Sequence, residues 1–430
     1  MAQQTVVQFT ESLDLFAHAR DVIAGGSQTS SKRPGAYALG AYPIYAARAS
    51  GSHIWDIDGN EYIDYVNGLG PIVLGYCYPE VDAAIAEQLE KGIIYGLLSP
   101  LEVAAADSII DAVPAAEMVR FLKGGAEANN AAARIARAYT KREIILNNGY
   151  RGWSDGWSAS RNDGGIPTAL EQSIRQFTFN DLNHLEDQFR TYDNQVAAVT
   201  LDAASMGKEP EPGYLQGLND LAHRHGALVI YDEIVTGFRL AMGGAQEYYG
   251  VTPDMATFAK AMANGMPLAA VVGSKEVMQA AENLVISITY GGEALSLAAA
   301  VATMNVMRKD NVHEHLHRTG ELLGDGINAA AQRAGVALGA HGLAPIGGER
   351  FLDAADAEEE GLMWRFLLAG LAQRGVLIRR GGVNFITFSH TEEDVAQTCE
   401  ALEDTLHELR RVRESGQLAR VASETASIAT

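Results

Sequence analysis

Residues 227–239, ALVIYDEIVTGFR, place an uninterrupted apolar and aromatic run, Ala227 to Tyr231, directly before the carboxylate Asp232. A run that is apolar at every position has no wet face, so as a strand it belongs inside a sheet covered on both sides. Ligands of open α/β sheets gather beyond the carboxyl ends of the strands, which gives Asp232 a functional reading, with a helix cap as the plain alternative. Twenty-eight residues later Lys260 stands in TFAKAMANGMPLAAVVG (257–273), after a short apolar segment and before a glycine-containing turn. A carboxylate and an amine at consecutive strand ends are placed to share one pocket. A lysine in an Ala-rich segment is, taken by itself, more often solvated.

Outward from this stretch, between about residues 80 and 275, short apolar runs alternate with amphipathic segments. The runs are MVRFL (from Met118), EIIL (from Glu143), VAAVTL (from Val196) and AAVVG (from Ala269), and they read as buried strands. Val81, Ala84, Ile85, Gln88 and Leu89 mark one helical face ended by Gly92. Leu215, Leu218, Leu221 and Ala222 mark another, ended by Gly226. Strand and helix in alternation predict an α/β fold with a mostly parallel central sheet.

The flanks differ. YPIYAARASGSHIWDIDGNEYIDY alternates with period two around the turn Asp58-Gly59-Asn60, which predicts a small antiparallel unit. Near the other end, LSLAAAVATMNVM from Leu295 reads as a buried helix and GVLIRRGGVNFITFSH as strands. TEEDVAQTCEALEDTLHELRRVRE then reads as a helix opened by a capping pair, Thr391 and Asp394, and the tail from Ser415 is expected to be disordered. We therefore divide the chain into an N-terminal segment, 1–65, a large α/β domain, 66–304, and a C-terminal α+β part, 305–430, the two ends forming one small domain.

Composition removes several classes of function. With 33 Lys plus Arg against 54 Asp plus Glu the formal charge is -21, a field that repels phosphate backbones and anionic membranes, so neither nucleic acid nor a membrane is an expected partner. The 2 cysteines, Cys77 and Cys399, make no disulfide framework or cysteine-rich metal site. The first residues lack a basic start followed by an apolar run, and no window is apolar enough to span a bilayer, so a cytoplasmic protein without a metal is expected.

Two further strings bear on chemistry. In FLKGGAEANNAAARIARAYTKR (121–142), Gly124 and Gly125 separate a strand from a helix whose inner face carries Ala132, Ala133, Ile135, Ala136 and Tyr139. Free amides at such a helix start bind phosphate, although a glycine pair there is also a common tight turn. In NNGYRGWSDGW (147–157), Tyr150 is placed to stack on a flat ligand, or to belong to an ordinary surface loop. Together the pieces describe a flat phosphorylated cofactor held by an amine, a carboxylate, a ring and an amide nest.

With these strings on the page the chain resembles the class III, fold type I pyridoxal-phosphate aminotransferases, in the branch of the glutamate-1-semialdehyde aminomutases, from about residue 10 to residue 410. WDIDGNEYIDYVNGLGPIVLGYCYPEV is similar to the family's N-terminal entry, GGAEAN to its phosphate loop and GYRGW to its stacking loop. EPGYLQGL with DEIVTGFR is similar to its aspartate region, TFAKAMANGMPLAAVVG to its lysine segment and TYGGEALSLAA to its threonine turn. Each string alone is a weak signal, and their joint occurrence in family order is specific. The resemblance implies pyridoxal 5'-phosphate as cofactor, Lys260 as the Schiff-base lysine and Asp232 as the partner of the pyridine nitrogen. It implies Gly125 and Ala126 as amide donors to the phosphate, with Tyr150 and Ile234 on the two faces of the ring. Thr289 would reach the phosphate of the neighbouring subunit, hence a homodimer with shared active sites. An anionic Asp232 keeps the ring nitrogen protonated, and Lys260 doubles as tether and proton carrier.

The departures concern substrate. Gly124 and Ala126 replace hydroxyl residues, Arg151 stands where histidine is common, Asp202 where a Glu-Pro pair is common, and Glu293 where asparagine is usual. Thr29 and Lys32 or Arg33 are rough equivalents of the aminomutase substrate residues, and Arg379 and Arg380 replace a small polar stretch. Paired arginines there suit a carboxylate or phosphate, or are simply solvated. The first reading is an aminotransferase that works through pyridoxamine phosphate on a small amino donor and a carbonyl acceptor. An aminomutase on glutamate-1-semialdehyde, or a related isomerase or racemase, is the alternative. Residues 153–169 have the composition of a mobile lid or of a plain surface loop.

Overall fold

The computed structural model of the chain describes residues 7–159, 164–204, 208–381 and 383–427. In chain order the helices are α1 (Thr10–Val22), α2 (Pro79–Lys91), α3 (Pro100–Ala112), α4 (Gly125–Thr140), α5 (Asp155–Ser158), α6 (Leu182–Thr191), α7 (Tyr214–Arg224), α8 (Ala245–Tyr249), α9 (Lys275–Met278), α10 (Ala294–Lys309), α11 (Val312–Ala334), α12 (Ala357–Ala372), α13 (Glu392–Glu414) and α14 (Leu418–Ser427). The strands are β1 (Ala46–Ser50), β2 (His53–Asp56), β3 (Glu61–Asp64), β4 (Met118–Leu122), β5 (Ile144–Asn147), β6 (Ile174–Gln176), β7 (Val196–Leu201), β8 (Leu228–Asp232), β9 (Met255–Phe258), β10 (Ala269–Gly273), β11 (Leu338–His341), β12 (Gly348–Phe351) and β13 (Val376–Leu377). Backbone contacts divide the chain into two units, one of Gly70–Ile72 and Pro79–His313, the other of Met1–Leu69, Val73–Tyr78 and Glu314–Thr430.

The larger unit is built on a 7-stranded sheet in the order β4-β10-β9-β8-β7-β5-β6. From β9 through β8, β7 and β5 to β6 every pairing is parallel, and β10 runs antiparallel to both β4 and β9. Every residue of β5, β7, β8, β9 and β10 is buried, which is why these strands are legible as unbroken apolar runs. Ile135 of α4 packs with Ile145, Ala198, Ile230 and Val271 in the main apolar core, and a fully buried aliphatic side chain of that size contributes about 1.5–3 kcal/mol. Ala128, Ala131, Ala132 and Ala136 make the sheet-facing side of α4 small, so the helix backbone lies close to the strand ends. Tyr139 departs from its expected place on that side: it is 37% exposed and its hydroxyl donates to Glu276.

In the smaller unit β1, β2 and β3 form the expected antiparallel meander, and β13 adds to it in parallel beside β3. The turn between β2 and β3 contains Gly59 at φ 88, and Asp56 accepts from the Asn60 amide at 2.8 Å. Two expectations need correction. GVLIRRGGVNFITFSH yields a strand over Val376–Leu377 alone; Gly382 lies outside the described residues, and 384–388 make scattered backbone bonds instead of a ladder, Asn384 to Gly347, Phe385 to Tyr65 and Phe388 to Val73. The tail is not irregular from Ser415 onward: α14 forms because Leu418 and Ala422 are buried, although its polarity argued for disorder. Thr391 and Asp394 do form the capping box of α13.

Candidate active site

Asp232 closes β8 and lies opposite Thr257 of β9 in the parallel register, and Lys260 follows on the same side three residues later. Lys260 opens a tight turn, Lys260–Ala263, at φ 46, a left-handed conformation that costs a non-glycine residue about 1–2 kcal/mol. The sequence expectation of a carboxylate and an amine at consecutive strand ends therefore matches the geometry of the sheet.

Asp232 is 7% exposed and its carboxylate is held from three sides. Asn129 Nδ2 donates to Oδ2 at 2.9 Å, Arg151 donates to the same oxygen at 3.2 Å, and the Ile234 amide donates to Oδ1 at 3.0 Å. Asn129 is itself fixed, because Thr257 Oγ1 donates to its Oδ1 at 2.9 Å and its Nδ2 also reaches the Arg151 carbonyl at 3.2 Å. A carboxylate has about four acceptor positions, so three donors leave room for one more.

Helix α4 starts at this same edge. Gly124 is its N-cap, and Glu127 reaches back to the amides of Lys123 and Gly124, at 2.9 and 3.0 Å, closing the turn. The following amides, Gly125 and Ala126, leave the helix start with no intrahelical acceptor, at its positive end. Gly125 has no room for a side chain, since a Cβ there would lie 2.6 Å from Ile234 Cδ1. The Tyr150 loop comes equally close: Gly152, at φ 110, would put a Cβ 2.4 Å from Ala126 Cβ. Gly125 thus packs on Ile234 and Gly152 on Ala126, which brings the 149–152 loop against the start of α4, with Tyr150 61% exposed.

Thr289 is exposed in the turn before α10. Glu293 at the start of α10 accepts from Leu295 and Ser296 and pairs with Lys123 at 2.8 Å, and the pair and these donors hold its carboxyl below the usual range against the opposing effect of burial. Of the remaining departures, Asp202 is pushed up to about 6, first by desolvation and then by the charge of Asp232; Arg151, the Ala204 amide and Lys260 pull the other way. Arg379 donates to Ser31 Oγ at 3.4 Å, and with Arg380, Tyr37 and Trp364 it lines a cavity of about 270 Å³ in the smaller unit. Of the lid expected over 153–169, Asp155–Ser158 is helical with Trp157 buried, and residues 160–163 lie outside the described residues.

Sequence reasoning missed Asn129, Thr200 and Thr257, which orient the charged groups. The signal for Asn129 was present in ANNAAARIA, where a polar residue falls on the buried side of an Ala-rich helix. Glu233 and Arg239 of the opening stretch also find their places. Glu233 accepts the Ala245 and Gln246 amides at 2.8 and 2.9 Å, and burial pushes it up to about 7. Arg239 donates to the Gly70 and Ile72 carbonyls at 3.0 and 2.8 Å.

A family model described as Aminotransferase class-III matches residues 36–406. The chain is 32% identical to a 3-aminobutyryl-CoA aminotransferase of Cloacimonas acidaminovorans, covering 94% of this chain and 99% of the relative. It is 34% identical to a glutamate-1-semialdehyde 2,1-aminomutase of Desulforamulus reducens, covering 91% and 96%. Among solved structures, the pyridoxal-phosphate-bound FumI protein of Sphingopyxis sp. is similar at a TM-score of 0.89 and 28% identity, covering 94% of this chain and 98% of that one.

The titration of Asp202 can be checked. A carboxyl at about 6 when folded and 3.8 when unfolded binds its proton more tightly in the native state, so its ionisation lowers stability as pH rises between those values. Asp202→Asn in cofactor-free protein is expected to gain stability over wild type progressively across that window, by on the order of 2–3 kcal/mol above it. Denaturant unfolding at a series of pH values reads this directly, and a difference independent of pH contradicts it.

Proposed function

We propose, for a chain that belongs to the class-III aminotransferase family and is a pyridoxal-phosphate-dependent aminotransferase, that Lys260 carries the cofactor and that Asp232 is the partner of its ring nitrogen. The observation that carries this reading is the convergence of Lys260, Asp232 and the open amides of α4 at neighbouring strand ends of one unit. The site suits the group chemically. Asp232 keeps one acceptor position, the Gly125 turn is stripped of any side chain, and two amides at a helix start suit a phosphate.

Within it, Gly125 and Ala126 anchor the phosphate by backbone, without the hydroxyls that serine and threonine would bring. Tyr150 and Ile234 fix the plane of the ring from its two faces. Asp232, held by its three donors, would be the partner of the ring nitrogen. The bound cofactor supplies the electron sink that makes loss of a proton from the substrate carbon accessible. Lys260, as a free amine, would be placed to take that proton and return it.

The substrates are a small-molecule amino donor and a carbonyl acceptor, and transfer is favoured over the aminomutase reaction. The segment around Thr29, Lys32 and Arg33, and Arg379 with Arg380, depart where an aminomutase needs its own residues. A single turnover tests this. Enzyme with excess amino donor and no acceptor should release one equivalent of keto product, whereas inertness to a broad donor panel with rapid turnover of glutamate-1-semialdehyde alone would establish the mutase.

The protein works as a homodimer in the cytoplasm. Leu97 and Leu98, 85% and 87% exposed, lie with Leu89, Val103, Ile93, Ile94 and Tyr95 in an apolar surface that a second copy would cover, and free Cys77 and Cys399 suit a reducing compartment. The Ala294 amide donates to the Ile93 carbonyl at 2.8 Å, so this surface adjoins the turn that carries Thr289. Thr289 then completes the partner subunit's phosphate site. Thr289→Ala should weaken cofactor binding by about 1–3 kcal/mol, and dilution to monomer should release cofactor. A monomer that keeps full occupancy would contradict the shared site.

A further inference from the structure

The Tyr150 loop carries a charge that the reading above does not use. Arg151 is 3% exposed, and its side chain turns back beneath its own loop. One guanidinium nitrogen donates to the Tyr150 carbonyl at 2.6 Å and to Asp232 Oδ2 at 3.2 Å, the other terminal nitrogen donates to the Asn148 carbonyl, and Nε donates to Thr200 Oγ1 at 3.3 Å. These partners sit at the ends of β5, β7 and β8, which are neighbours in the sheet, so a single planar group ties three adjacent strand ends together.

We propose that Arg151 is a positioning residue that locks Asp232 and the ring-stacking loop into one unit and fixes the charge opposite the carboxylate. The proposal rests on the reading that Asp232 faces the cofactor. A buried cation is tolerated when it is paired and its remaining donors are satisfied, and here Asp232 supplies the charge while two carbonyls and a hydroxyl take the other donors. Gly149, at φ 89, and Gly152, at φ 110, flank the residue and let the backbone fold around the side chain. Asn129 closes the arrangement by donating both to Asp232 and to the Arg151 carbonyl. The carboxylate cannot turn without losing Arg151 and Asn129 together.

The planar fork matters as much as the charge. Lysine offers one nitrogen and cannot reach four acceptors on three strand ends. Histidine offers two nitrogens and titrates near pH 6.5, whereas arginine stays charged throughout. Asp202, from the segment after β7, feels the charges of Asp232, Arg151 and Lys260; α4 presents the neutral Asn129, and Glu233 next in sequence turns to the start of α8.

The test compares Arg151→Met, Arg151→Lys and Arg151→His with wild type, each stripped of cofactor and titrated with pyridoxal phosphate. The readouts are the dissociation constant, the pH dependence of the bound cofactor's visible band and thermal unfolding of the cofactor-free protein. Arg151→Met should bind the cofactor on the order of 10- to 100-fold more weakly, the usual cost of losing a supporting partner, with Arg151→Lys in between. Arg151→His should make the bound cofactor's band depend on pH in a way that wild type's does not, because a titratable group then stands where a fixed charge stood. Wild-type affinity and a wild-type band at every pH in Arg151→His would overturn the proposal, as would losses in all three variants that follow thermal stability alone. If Arg151→Met does not fold, the histidine and lysine variants decide. A wild-type protein that shows no visible band on titration would count against the Lys260 and Asp232 reading itself, which separates the two failures.

Discussion

A carboxylate that has lost nearly all its water needs fixed donors in that water's place, and Asp232 has them at the end of β8. Its donors come from three places: Asn129 in α4, itself fixed by Thr257 in β9, Arg151 after β5 and the Ile234 amide just beyond β8. Each is brought there by the parallel sheet, whose strands end on one edge. Were β8 and β9 antiparallel, Lys260 would follow β9 at the opposite edge from Asp232.

The same edge explains why so many small residues are needed. Helix α4 approaches the sheet through alanines, and its first turn meets Ile234 and the Tyr150 loop at distances that exclude a Cβ at Gly125 and Gly152. The open amides at the start of α4, the close approach of the Tyr150 loop and the buried carboxylate are thus consequences of one close packing, and enlarging any of these residues would disturb all three.

The buried strands are legible because each is mostly apolar, broken only by single polar residues such as Asn147, Thr200 and Thr257, and Asp232 because a charge directly after such a run is conspicuous; Lys260 stands out only beside the other strings of the family resemblance. The three-residue β6 was missed, since IRQ has neither length nor pattern. GVLIRRGGVNFITFSH was overread as strands: its β-branched residues satisfy burial equally well with isolated backbone bonds. The tail after Ser415 was underread, because Leu418 and Ala422 are too sparse to signal a helix until the surface they cover is known. At the site, sequence identified the residues that carry charge but not those that aim them. Asn129, Thr200 and Thr257 are neutral, lie far apart in the chain and gain their meaning from the register of β8 against β9.

The central claim is that Lys260 is the amine that holds the cofactor beside Asp232. Borohydride reduction of the holoenzyme followed by peptide mapping tests it most directly. The account predicts that the reduced cofactor is found on the peptide containing TFAKAMANG, attached at Lys260. Attachment at any other lysine, such as Lys123, would contradict it.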